Sequence, residues 1–180
     1  MLALVHARLG HADRAQQLLN ELAANHCTIL PHDIEWLYSL SLLAETCALL
    51  GSTRAAADLY ELLAPHAAVV AADTPEGISG SVARYLGLLA ATLGRRNEAI
   101  AYFQNATAAN ERMAFRPWLA HTQLDYARTL LARNEAGDCA RALSMLDEAR
   151  TTYRALNMHS WAEDATALTQ QFEVAQSAAR

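Results

Sequence analysis

One short pattern returns three times along the 180 residues, and it constrains the fold more than any other feature of the chain. Gly10, Gly51 and Gly94 each follow a Leu and stand 41 and 43 residues apart. Seven residues before them lie Ala3, Ala44 and Gly87, each preceded by Leu (Leu2, Leu43, Leu86). Five residues after them come Ala15, Ala56 and Ala99; nine after, Leu19, Tyr60 and Phe103; twelve after, Leu22, Leu63 and Ala106. Self-similarity at a fixed period marks repeat architectures, in which a unit buries its apolar face by stacking on its neighbour. A fourth copy follows when Tyr126-Ala127 replaces the Leu-small pair and Ala142, Leu146 and Ala149 take the later registers. Its turn, 134–138, then carries three extra residues, an insertion of the kind that loops tolerate.

Each copy reads as two helices. The first ends at the Gly, which adopts the left-handed conformation of a helix C-terminus, and the second starts two or three residues later. Small residues at two registers let the paired helices approach, and the Leu/Tyr/Phe register fills the space between them. Composition agrees, with 39 Ala and 28 Leu against nine Val plus Ile, so strong helix formers dominate and a sheet protein is excluded. The periodicity predicts helices over roughly 2–9, 12–25, 33–50, 53–64, 80–93, 96–113, 117–133, 138–156 and 160–176. The expected fold is all-α: a right-handed superhelix of antiparallel helix pairs, with about four pairs and a C-terminal helix. It is read as one repeat domain over 1–180, with repeats at approximately 1–30, 31–72, 78–115 and 116–157 and a terminal helix within 158–180.

Leu86-Gly87, Gly94, Ala99, Phe103 and Ala106 fall on the hallmark registers of the tetratricopeptide repeat, which the pattern resembles. The period departs from that family's, being about 41 to 43 instead of about 34, with longer helices and the stretch 65–79 absorbing the difference. Lengthened repeats of this kind are typical of the MalT-like branch. Three segments resemble that branch more closely: Leu59-Tyr60-Glu61-Leu62-Leu63, the run from Gly80 to Ala90, and the run from Asn110 through Trp118 and His121 to Arg133. Over about residues 55–157 they look like the C-terminal repeat region of bacterial regulatory ATPases, among them LuxR-type transcriptional regulators and cyclase-ATPase signalling proteins. The resemblance implies a regulatory role beside an ATPase domain, with a cyclase or a helix-turn-helix as output.

None of those output parts is legible in this chain. A phosphate loop needs a Lys, and all fourteen basic residues are Arg. This Lys-free, Ala- and Arg-rich usage reads as GC-rich bacterial coding. No helix-turn-helix follows Asn157, and the first copy begins inside its first helix, so the chain reads as a C-terminal piece of a longer protein. A net charge of −5 gives no reason to expect nucleic acid as a direct partner. No signal peptide and no long uncharged apolar run is legible, which excludes a membrane partner and points to the cytoplasm. Three Cys (Cys27, Cys47, Cys139) make no disulfide framework and read as thiols in a reducing compartment.

In such an array the first helices line a concave surface. Projected on the registers, its outward positions are Tyr38, Ser41 and Glu45, then Ser81, Arg84 and Leu88, then His121, Leu124 and Arg128. Their mixed aromatic, Arg and aliphatic character suits a protein or peptide partner. His26-Cys27 with His32-Asp33 is the densest cluster of metal-ligating types, yet it matches no structural zinc spacing, so no metal and no cofactor is expected. His121, Asp125 and Arg128 share a helical face and read as a solvated charged network, and no nucleophile or catalytic residue is nominated. Cys47 falls on a packing register, and Trp36, Trp118 and Trp161 read as seam covers. Asp58, Glu61, Glu98, Asp147, Glu148 and Arg150 read as a solvated convex face. The expected function is a non-enzymatic interaction and regulatory module, the sensor or scaffold part of a larger signalling ATPase or transcriptional regulator. The alternatives are a stand-alone adaptor or homodimer and, below both, a small helical enzyme.

Overall fold

A computed structural model describes residues 1–73 and 77–178; at 25, 26, 175, 176 and 178 only the backbone is described. Among these residues there are nine α-helices: α1 (Leu2–Arg8), α2 (Ala12–Cys27), α3 (Trp36–Leu50), α4 (Thr53–Leu63), α5 (Val82–Thr92), α6 (Arg96–Arg112), α7 (Arg116–Arg133), α8 (Asp138–Ala155) and α9 (His159–Ala178). The protein is all-α in its main architecture, with one departure. Between α4 and α5 the chain makes a 3-10 turn, Ala64–His66, and an antiparallel hairpin of β1 (Val70–Asp73) and β2 (Gly77–Ser81).

The hairpin corrects the expected helix start at residue 80. Val70 faces Ser81, whereas Ala72 faces Ile78 and Asp73 faces Gly77, so one extra residue lies in β2 between Ile78 and Ser81. Gly80, at φ +79°, accommodates that bulge. Ser81 then closes the strand and caps α5, its hydroxyl accepting from the Ala83 amide at 3.3 Å. The hairpin is tied to that helix, because the Tyr85 hydroxyl donates to the Ser79 carbonyl at 2.7 Å and Ser79 Oγ donates to the Ala71 carbonyl at 3.2 Å. At α3 the start also moves, from 33 to Trp36. Asp33 Oδ1 accepts from the Glu35 amide at 3.0 Å, and that Asx turn precedes the first helical residue.

The chain divides into two compact units, 1–102 and 103–180, and α6 contributes to both. In the first unit α1 packs on α2 and α3, and α3 on α4 and α5. One contiguous core results, running from Leu19 through Leu40, Ala44, Ala56, Leu59 and Leu63 to Tyr85, Leu86 and Leu89. In the second unit α7 packs on α8, and α8 on α9. Phe103 stacks on Tyr126 with ring centroids 5.8 Å apart, and Asn110 Nδ2 reaches Thr122 Oγ1 at 3.1 Å.

The repeat registers account for these seams. Ala3, Ala44, Gly87 and Ala127 are buried in all four copies, as are Ala15, Ala56, Ala99 and Ala142. Leu19, Phe103 and Leu146 are buried at the large register, while Tyr60 is half-buried and keeps its hydroxyl on Glu98 at 2.5 Å and Tyr102 at 2.9 Å. Gly51 ends α3 at φ +64°, a conformation that strains any residue with a Cβ. In the fourth copy Asn134 takes that left-handed position at φ +58°, Asn being the side chain that tolerates it best after Gly.

Candidate functional site

The nine expected partner-contacting residues divide sharply by exposure. Tyr38, Glu45 and Leu88 are half-buried and Arg128 is exposed. The other five are not outward-facing. Ser41 and Leu124 are fully buried, and Ser81, Arg84 and His121 are 3%, 2% and 6% exposed. Each has a local reason. Ser41 Oγ donates to the Leu37 carbonyl at 2.8 Å and turns inward along α3. Ser81 precedes its helix as a cap, so no helical projection applies to it. Every residue from Ala120 to Ala127 is buried, so this part of α7 has no solvent face for His121 and Leu124 to occupy.

In the first unit α1, α3 and α5 bring together one charged chain of contacts. The Glu45 carboxylate on α3 accepts from Arg8 on α1 and from Arg84 Nη1 on α5 at 3.4 Å. Arg84 also lies over the Tyr85 ring, 5.1 Å from its centroid. Burial pushes the Tyr85 phenol up to about 12, against the opposing influence of the Arg84 guanidinium. The carboxylate therefore bridges two guanidiniums from different repeats, and removal of Glu45 would leave Arg84 enclosed without that charge. Arg8 was not singled out in the sequence, because a contact 37 residues away carries no local signal.

In the second unit the expected charged network is reorganised. Arg128 Nη1 reaches Asp125 Oδ1 at 3.4 Å, but Asp125 and His121 are each only 6% exposed, so this is no solvated network. His121 Nδ1 meets the Tyr153 hydroxyl at 2.9 Å. Trp161 and Trp118 flank the imidazole at 4.2 and 5.2 Å between ring centroids. The two Trp thus surround a buried His. Trp118 lies three residues before His121, one helical turn away, and that spacing was the only sequence signal available. Trp36, in the first unit, lies between the rings of His32 (4.3 Å) and His66 (5.7 Å).

Of the Cys- and His-containing cluster at 26–33, the side chain of His26 lies outside the described residues; His32 and Asp33 are exposed and Cys27 is buried. Among the described residues no three or more His, Cys, Asp or Glu side chains converge on a metal-sized space. Burial pushes the Cys47 thiol up to about 12 and the Cys27 thiol up to about 11, so both are protonated thiols without nucleophilic character at neutral pH. On the second unit an open-sided cleft of about 390 Å³ runs along α9, from Arg154 and His159 past Glu163 and Thr166 to Gln170. No helix among the described residues is long and apolar enough to cross a membrane. No protein-family model, no curated protein and no solved structure matches the chain.

Proposed function

We propose that the chain is a non-enzymatic, tetratricopeptide-like interaction and regulatory module, the sensor or scaffold part of a larger cytoplasmic signalling ATPase or transcriptional regulator. The observation that carries this reading is the burial of both small-residue registers in all four copies. It supports a repeated helix-pair unit, and repeated helix pairs form right-handed superhelical arrays that present extended binding surfaces. The partner is a protein or peptide. In the first unit Tyr38, Glu45 and Leu88 keep part of their surface exposed to it, an aromatic ring, a carboxylate and an aliphatic chain. Binding there would shift the module between two dockings on the ATPase domain of its parent chain, a population shift set by the difference in affinity for the two states.

The test starts from the coding sequence that adjoins this one. ATP turnover by the whole protein, measured with and without residues 1–180, should change when the module is removed. Unchanged turnover, or an isolated reading frame of 180 residues, sinks the regulatory reading. A stand-alone adaptor or homodimer is the second reading, favoured by the exposed apolar side chains of α1 and the residue that ends it: Leu2 at 67%, Val5 at 44% and Leu9 at 64%. Light scattering that finds a stable dimer selects it.

A further inference from the structure

The Gly-centred turn that ends the first helix of a copy also joins two residues five apart. The amide of the residue after the Gly donates to the carbonyl four residues before it: His11 to His6 at 2.9 Å, Ser52 to Cys47 at 3.0 Å, and Arg95 to Ala90 at 2.9 Å. This closure brings the two side chains face to face. In the second and third copies the pairs are Cys47/Ser52 and Ala90/Arg95. In the first copy both are imidazoles. His6 Nδ1 and His11 Nδ1 stand 3.2 Å apart, with ring centroids 5.5 Å apart, and His11 is exposed.

We propose that His6 and His11 form a two-imidazole site for a divalent transition-metal ion of the zinc or copper class. Two imidazole nitrogens, each about 2.0–2.1 Å from a tetrahedral ion, stand about 3.3–3.4 Å apart, and about 2.9 Å apart at a right angle. The observed 3.2 Å falls between these limits. In the metal-free pair one ring donates its Nδ1 proton to the other. On binding, that ring moves the proton to Nε2 through solvent, both Nδ1 lone pairs turn toward the ion, and no net proton is lost. The backbone closure supplies the preorganisation, since it fixes the spacing of the two residues without help from either side chain. No third such side chain converges here among the described residues, so water completes the shell and the ion keeps open positions. With nitrogen donors copper(II) binds more tightly than zinc.

The test uses the full chain without an affinity tag, titrated with zinc chloride alone and followed by calorimetry and by the imidazole NMR signals. One ion per chain is expected, with the His6 and His11 signals moving together. His6→Ala and His11→Ala should each weaken binding by about tenfold or more, equivalent to roughly 1.4 kcal/mol. His11→Gln guards against a folding defect, because it keeps a polar side chain at an exposed position, and circular dichroism should match that of the parent. His32→Ala should bind as the parent does. The proposal is overturned if His6→Ala and His11→Ala keep parental affinity, if the signals of His32 or His159 move as much as the pair's, or if no heat of binding is seen.

Discussion

The helices α1 and α7 occupy the same place in the first and fourth copies, yet they meet opposite surroundings. Only Ala3 of α1 is buried, whereas α7 buries ten side chains, polar and apolar alike. Both keep the small residue of the shared register inside: Ala3 and Ala127. The residue before it diverges, with Leu2 67% exposed and Tyr126 1% exposed. A repeat register therefore guarantees only the seam between a helix and its own partner. What becomes of the other faces depends on further neighbours, and the repeat pattern does not encode those.

The sharpest way to break this comparison is at the seam itself. Phe103 is fully buried and stacked on Tyr126, so Phe103→Ala should destabilise the protein by about 3–5 kcal/mol in chemical denaturation. A loss below about 1 kcal/mol would show that the large register is not core, and the four-copy alignment would fall with it.

The enclosed face of α7 provides a smaller effect. Tyr153→Phe removes the hydroxyl that meets His121 Nδ1 and should cost about 1–3 kcal/mol, the penalty for a buried polar group losing a partner. A change within about 0.5 kcal/mol would mean that water reaches the imidazole, as it would if α7 had the solvent face that helical projection assigns it.

Legibility in the sequence followed the same division. The helices and their seams could be read because small residues recur at fixed distances from Gly10, Gly51 and Gly94, and a seam tolerates little else. The hairpin could not. Across its nine described residues only Val70 and Ile78 are β-branched, and it is held by Ser79 and Tyr85 contacts that no alternation announces. Of the candidate surface, Tyr38, Glu45, Leu88 and Arg128 kept exposed area. Ser41, Ser81, Arg84, His121 and Leu124 did not, because projecting a helix on a wheel supplies one buried side, and Arg84 and His121 are enclosed on others. The Glu45 bridge depends on contacts made only in three dimensions, and the His6–His11 pair on the backbone closure at Gly10.

The ends of the two helices sharpen the contrast electrostatically. Arg8, in the last turn of α1, reaches across to Glu45, while Arg133 at the end of α7 grips Asp138 through two bonds of 2.8 and 2.6 Å. The Arg133 guanidinium and the Glu135 amide hold the Asp138 carboxyl below its usual range. A carboxylate with a depressed folded-state pKa stabilises the fold above its unfolded pKa, about 3.9, and that contribution is lost as pH falls through the folded value. Asp138→Asn should therefore lower Tm at pH 7, and the difference from the parent should shrink below about pH 4. A gap that stays constant down to pH 2 would assign the loss to packing.

The smallest expected effect lies on α1. Leu2→Ser replaces an exposed apolar side chain, so stability should change by less than about 0.5 kcal/mol, against several for Phe103→Ala at the buried large register. Denaturation at two protein concentrations is the decisive form of this measurement. If Leu2→Ser costs more than about 1 kcal/mol, and the cost grows with concentration, then a second copy covers the α1 face in solution. If the cost is small at both concentrations, the outer face of α1 stays uncovered, and the contrast with α7 stands.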